Sequence, residues 1–349
     1  MSPLFRRRSE EEKESERAAS QARNEASARA AEQAAISLER IEQGHIPLQA
    51  AERLKEFAPA SAGGATGTNA EGSAGAGAAG GAGANAAGAA AATAFGSDLE
   101  VSEWAAIARL GVSPITQVMG SSIYHVGWQP TYYNVPTEVR ILSDAYNECR
   151  RLALGRLLEE ARACRADAVL GVRIDQGAHD WAPGAIEFIA IGTAVRLPER
   201  LRGDGGETLL CDLSGQEFTM LCQAGTRPVG IAAHTSVHYV PASPQTQMAQ
   251  GGFGASWVNQ ELVDFSQGVY EAREKAIGSV TAQVRELGGD GIIGVEISEH
   301  SRTHAVRRGM YESTDLEVTF HVMGTVIRED ETLAAELTET QPRTILSLR

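Results

Sequence analysis

The chain has 349 residues, 43% of them hydrophobic and 22% charged, with a formal net charge of −14. At about 150 residues per domain this allows two domains, each with core enough to fold without staples, and the acidic balance argues against nucleic acid as a partner, since phosphate backbones are met by clustered Lys and Arg. Four cysteines make no disulfide framework. No apolar run of transmembrane length occurs, and the basic triplet Arg6-Arg7-Arg8 is followed by no signal-peptide core, so a cytoplasmic protein with no membrane partner is expected.

Residues 1–58 carry 10 Lys/Arg and 11 Asp/Glu among strong helix formers. Ile36, Leu38 and Ile41 form an apolar cluster, Gly44 suits a helix C-cap, and Pro47 suits the first turn of a second short helix ending near Phe57. This reads as a charged helical arm, either a solvated face or an element that docks a protein partner. Residues 59–94 are almost wholly Gly, Ala, Ser, Thr and Asn, with Glu71 the single charge, and read as a disordered linker spanning roughly 30–35 Å. Gly75, Gly77 and Gly80 fit a dinucleotide-binding spacing, but no strand precedes them and no helix follows.

The remainder, residues 95–349, contains an internal repeat. Glu148–Gly155 lies over Glu271–Gly278, Ala166–Ile174 over Gly289–Ile297, and Phe188–Arg196 over Phe320–Arg328. These 26 aligned positions hold 12 identities, where about two are expected by chance. A weaker block sets Gly111, Pro114, Ser122 and Val126 over Gly225, Pro228, Ser236 and Val240. The boundaries that follow are a first repeat at 95–200, a second at 201–330 and a tail at 331–349.

Each repeat reads as β-α-β-β. Residues 113–126 and 227–240 give the first strand, and the apolar stripes Ile141–Cys164 and Leu262–Leu287 give the long helix. A second strand, a loop and a third strand follow. In the third strand, Phe188, Ala190 and Ala194 alternate with Ile189, Ile191 and Val195, so both faces are apolar although one helix covers one face. The other repeat or a neighbouring subunit has to bury the second face. Gly171, Gly192, Gly294 and Gly324 fall mid-strand, where glycine marks a bulge or a close backbone approach.

The segments Glu-Cys-Arg-Arg-Leu-Ala, Ala-Asp-Ala-Val-Leu-Gly-Val and Ile-Gly-Thr-Ala-Val-Arg, in this order twice, resemble the YbjQ-like family, customarily called "putative heavy-metal-binding domain". The likeness covers about residues 100–328 and is nearest to two-copy bacterial members with an N-terminal helical arm. It implies an α+β fold of two tandem dodecin-like β-α-β-β units and a homo-oligomer built as a pentameric-type ring. The family name also implies a divalent metal ion as cofactor.

Tested against the residues, that implication finds few ligands. His234 and His238 are the candidate metal pair, but in a strand their rings stand roughly 13 Å apart on one face, so they could share an ion only across subunits. His300 and His304 fall in what reads as a polar loop beside Arg302, Arg307 and Arg308. No Cys-x-x-Cys occurs. No catalytic motif appears either: Asp167 and Asp290 suit backbone bonds at a helix-to-strand turn, and Arg150 and Arg273 suit structural ion pairs. Ser121, Ser122, Thr235 and Ser236, with Tyr124 and His238, form a polar cluster able to line an intersubunit pocket or simply to pair across strands. The expectation is a non-enzymatic, ring-forming scaffold or interaction protein, the alternative a metal- or small-ligand-binding module using intersubunit sites.

Overall fold

The computed structural model describes residues 10–58, 96–127, 133–178, 184–203, 206–250, 259–308, 311–330 and 333. The proposed linker at 59–94 and, apart from Leu333, residues 331–349 of the tail lie outside them. The fold is mixed α+β. A first sheet contains β1 (Ser113–His125), β3 (Ala168–Ala178), β4 (Ala185–Arg196) and β5 (Leu209–Leu210) in the order β1-β4-β3-β5. A second contains β2 (Thr137–Glu138), β6 (Thr226–Val240), β7 (Gly291–Arg308) and β8 (Tyr311–Glu329) in the order β2-β6-β8-β7. No helix of the described residues is long and apolar enough to cross a membrane.

Glycine and aspartate place the sheet details. Gly171 and Gly294 both adopt φ +63°, at the register shifts that bulge β3 against β4 and β7 against β8. A Cβ on Gly324 would come within 2.9 Å of the Ile293 carbonyl oxygen, so only glycine fits there. The Asp167 carboxylate accepts from the Leu197 N–H at 2.9 Å, and the Asp290 carboxylate accepts from the Glu329 N–H at 2.9 Å. The aspartates thus have the local role expected of a helix-to-strand turn.

Each long helix lies on its own sheet and also seals a strand edge. Helix α4 (Arg140–Ala163) sets Cys149, Ala153, Leu157 and Ala161 against the first sheet, all fully buried. It approaches so closely that a Cβ on Gly120 would fall 2.0 Å from the Ala153 carbonyl oxygen. At the open edge of β1, Met119 N–H donates to Glu160 at 2.8 Å. Helix α7 (Val263–Glu286) packs Ala272, Ala276, Val280 and Val284 on the second sheet. Its Gln283 amide exchanges hydrogen bonds with Ala233 N–H and C=O at 3.1 and 3.0 Å, sealing the edge of β6.

The second sheet's other face is buried by the first unit, one of the two options left by the sequence. Val237 and Tyr239 of β6 join the core around α4. Ser143 Oγ accepts from Val237 N–H at 3.0 Å, and the Asn147 amide binds both Thr235 N–H and C=O at 2.9 and 2.8 Å. Strand β2, immediately before α4, pairs with β6 at His238 and Tyr239. On the first sheet the corresponding face is only partly covered: Met119 and Ile123 remain 48% and 54% exposed.

Two helices absent from the sequence reading, α3 (Val101–Arg109) and α5 (Gly215–Gln223), pack Ile107 and Phe218 onto Ala168, Leu170 and Val195. Both open with capping boxes, Glu100/Glu103 and Ser214/Glu217, a local signal legible in the sequence. A short helix, α6 (Pro244–Gln250), follows β6.

The N-terminal arm is a helical hairpin of α1 (Glu10–Glu42) and α2 (Leu48–Lys55). Gly44 takes φ +86° as α1 ends, and Pro47 stands at the N-cap of α2. Residues 25–36 are exposed, whereas Ile46 and Leu54 are 2% and 0% exposed within the core around α4. Glu159 fixes the docked turn by accepting from Ile46 N–H at 2.8 Å and from Arg40 at 3.0 Å. Leu54→Ala should therefore lower the melting temperature by about 5–15 °C, from the loss of a fully buried side chain. Leu38→Ala, at a position 63% exposed, should leave it unchanged; equal effects in differential scanning calorimetry would refute the docking.

Candidate functional site

A helix about 10–12 Å thick holds two sheets apart, and where it does not fill the gap a space remains. Beside α4 this space is a cavity of about 560 Å³. Its inner wall is made by Tyr146 and Arg150 of α4, Phe188 of β4, and Thr319 and His321 of β8. The rim carries Asp175, Glu296, His300, Arg302 and Glu317.

Arg150 is 6% exposed. Its Nη2 donates to Thr235 Oγ1, and its guanidinium lies over the Phe188 ring, 5.5 Å from the centroid. Among the described residues no carboxylate stands within ion-pair distance of it. Burial lowers its pKa to about 10. Thr235 Oγ1 also meets His321 Nδ1 at 2.8 Å. Burial, reinforced by the Arg150 charge, pushes His321 down to about 3 and keeps it neutral. The Tyr146 ring packs edge-on against both His321 and Phe188, at 5.4 and 6.2 Å. At the rim, Glu317 pairs with His304 at 3.3 Å.

Thr235 and His321 have the outline of a nucleophile and base, but not the chemistry. An imidazole with a pKa near 3 is a poor base at neutral pH, and Thr235 is 0% exposed and already engaged by Arg150. All four cysteines are buried, and burial pushes the Cys211 and Cys222 thiols up to about 12.

His234 and His238 lie on β6 facing α7, opposite the cavity, in register with Val322 and Val318. Being four residues apart along a strand, they are not brought together. Burial lowers both pKa values, and His234 Nε2 and both ring nitrogens of His238 have no hydrogen-bond partner among the described residues. No group of three or more His, Cys, Asp and Glu among the described residues could hold a metal ion. His300 and His304 are not in a loop, as the sequence suggested. They belong to the long hairpin of β7 and β8, paired with Thr319 and Asp315; His300 lines the cavity, whereas His304 packs against the Tyr239 ring. Of the polar first-strand cluster, Thr235 joins the cavity network while Ser122 and Ser236 are buried elsewhere on their strands.

The two repeated arginines differ. Arg273 on α7 is half exposed and pairs with Glu274 at 3.2 Å, the structural role expected of both. Arg150 makes no such pair because a second sheet covers its side of α4.

The comparisons with known proteins agree with one another. The family model described as "Putative heavy-metal-binding" in the YbjQ group matches residues 133–198, which hold Tyr146, Arg150 and Phe188. An encapsulin nanocompartment protein of Mycobacterium tuberculosis is 32% identical over 238 residues, covering 67% of this chain and 86% of that protein. A UPF0145 protein of Clostridium novyi is 40% identical over 60 residues, 17% of this chain and 56% of that one. Another of Methanococcus vannielii is 45% identical over 51 residues, 15% of this chain and 47% of that one. The chain thus spans about half the length of these UPF0145 relatives. No solved structure matches.

The depressed pKa of His321 makes stability pH-dependent. Between its ordinary value of 6.5 and about 3, the unfolded chain binds a proton that the folded chain refuses, so stability falls as pH falls through this window. Asp212, raised to about 6 by burial, acts in the opposite sense. The comparison is therefore with a variant: from pH 7.5 to 4.5, His321→Asn should lose less melting temperature than the parent protein. Parallel losses would mean that His321 is not held neutral.

Proposed function

The chain belongs to the YbjQ-like family, and from that premise we propose that it is a non-enzymatic, ring-forming homo-oligomer of two tandem dodecin-like repeats that works in a nanocompartment-type assembly. The last part draws on the name of the Mycobacterium tuberculosis relative. The repeats are 95–200 and 201–330, and the exposed part of α1 presents Ile36 and Leu38 to a protein partner. Duplication accounts for the matched bulges at Gly171 and Gly294 and for the matched edge seals. Glu160 stands to Met119 as Gln283 stands to Ala233, at corresponding positions of the two units.

One observation carries the ring. The contact between the units is head-to-tail: the start of α4 grips the edge of β6. The chain holds a second copy of both surfaces with no second sheet on it, although Arg156 already donates to the Ser121 carbonyl at 2.6 Å. Before α7, Gln260-Glu261-Leu262 corresponds to Thr137-Glu138-Val139, and Leu262 and Val139 share one backbone conformation (φ −86°, ψ 81° against φ −84°, ψ 78°). On β1, Ser121 and the exposed Ile123 correspond to Thr235 and Val237. Repeating the operation joins α7 of one chain to β1 of the next, and a heterologous contact that closes makes a ring. The family implies the pentameric type.

Ile123→Lys puts a charge at the centre of this contact without touching a buried position of the single chain. Light scattering coupled to size exclusion should then report a smaller particle than for the parent protein. A parent protein that runs as a monomer, or a variant of unchanged mass, would refute the ring.

A second reading, a metal-binding module using intersubunit sites at His234 and His238, is favoured by their unpartnered ring nitrogens and by the family description. On that reading, protein dialysed against metal-free buffer retains a stoichiometric divalent ion, and His238→Ala loses it. On the scaffold reading neither protein retains metal.

A further inference from the structure

The inner wall of the inter-sheet cavity holds two buried nitrogen groups, Arg150 and His321, beside the hydroxyls of Tyr146 and Thr319. An arginine side chain only donates, so Thr235 Oγ1 accepts from Arg150, and the same hydroxyl shares a hydrogen bond with His321 Nδ1. In the tautomer protonated at Nε2, the Thr235 hydroxyl donates to Nδ1 and Nε2–H is a buried donor with no partner among the described residues. Beside it lies a guanidinium, 6% exposed, whose described contacts are one hydroxyl and one aromatic face. Folds rarely bury a charge without a counter-charge, because the loss of hydration is not recovered. Here the missing counter-charge has room, since both groups line the 560 Å³ cavity, within the usual range of small-molecule sites.

The walls narrow the chemistry. Phe188, Ile174 and Met323 supply apolar surface next to the guanidinium. At the rim, Asp175, Glu296 and Glu317 outnumber Arg302, a field that opposes multiply charged anions such as nucleotides. We propose that the cavity binds an organic monocarboxylate, its carboxylate against Arg150 and His321 Nε2–H and its apolar body along Phe188, Ile174 and Met323. Neither the family description nor the names of the relatives assigns such a ligand, and the site is contained in one chain.

Titration calorimetry of the full-length protein with benzoate, benzamide and inorganic phosphate tests this at constant ionic strength. Benzoate should bind saturably, benzamide (the same shape without the charge) at least tenfold more weakly, and phosphate more weakly than benzoate. Arg150→Met should lose at least tenfold in benzoate affinity and His321→Phe several-fold. If Arg150→Met does not fold, the contrast of benzoate with benzamide on the parent protein still decides. Equal affinity for benzamide would reduce the site to an apolar cavity, tighter phosphate binding would make it a general oxyanion site, and no saturable binding of benzoate would mean an empty cavity. Each of these overturns the proposal.

Discussion

Helix α4 is packed on two sides, and most of the molecule follows from that. Towards the first sheet it presents Cys149, Ala153, Leu157 and Ala161, and Gly120 lets the helix backbone nearly touch β1. Towards the second sheet it presents Ser143, Asn147 and Arg150, and the first two take the place of a strand partner at Thr235 and Val237, where the short β2 no longer pairs with β6. An unpaired strand edge invites association. Here the invitation is answered by side chains from the preceding unit. Helix α7 has the same relation to its own sheet, but no second sheet of the described residues covers its outer side, where Tyr270 is 60% exposed.

The two-sided role of α4 also explains the cavity. A helix between sheets is a spacer, and its N-terminal turns leave a gap that Tyr146 and Arg150 only partly fill. Arg150 is buried because the second sheet closes over it, and its counterpart Arg273 is half exposed because no sheet of the described residues closes over α7. The surface that joins the units creates the enclosure, and the charge within it. The proposed ring would repeat that surface between chains and set Arg273 near Ser121 of a neighbouring copy.

Much of the fold was legible because its signals are local. Repeated blocks located α4 and α7 by their apolar stripes, the turn aspartates Asp167 and Asp290 by their place before a strand, and the bulges by Gly171 and Gly294. Helices α3 and α5 are equally local, marked by Glu100/Glu103 and Ser214/Glu217, and fall where the repeat pattern assigns no element. The His300–His304 segment misread as loop because polar alternation over a cavity looks like solvent-facing sequence. The site itself was not legible. Arg150 stood out only as a repeated position, and its burial depends on β6, some 85 residues away, through Thr235. The candidate pair His234 and His238 drew notice by spacing, but the strand separates them and turns them toward α7.

The account turns on the α4–β6 contact being one instance of a repeated operation, and cysteine cross-linking tests it most directly. Glu138 lies opposite His238 within the chain, so Glu261 should lie opposite Tyr124 of the next copy, at a spacing that suits a disulfide. The native cysteines are buried and do not compete. In a Glu261→Cys, Tyr124→Cys protein, mild oxidation should give a ladder of covalently joined chains ending at the ring, with neither single variant doing so. Chains that stay uncrosslinked, or that join equally well through either cysteine alone, would contradict head-to-tail assembly through α7 and β1.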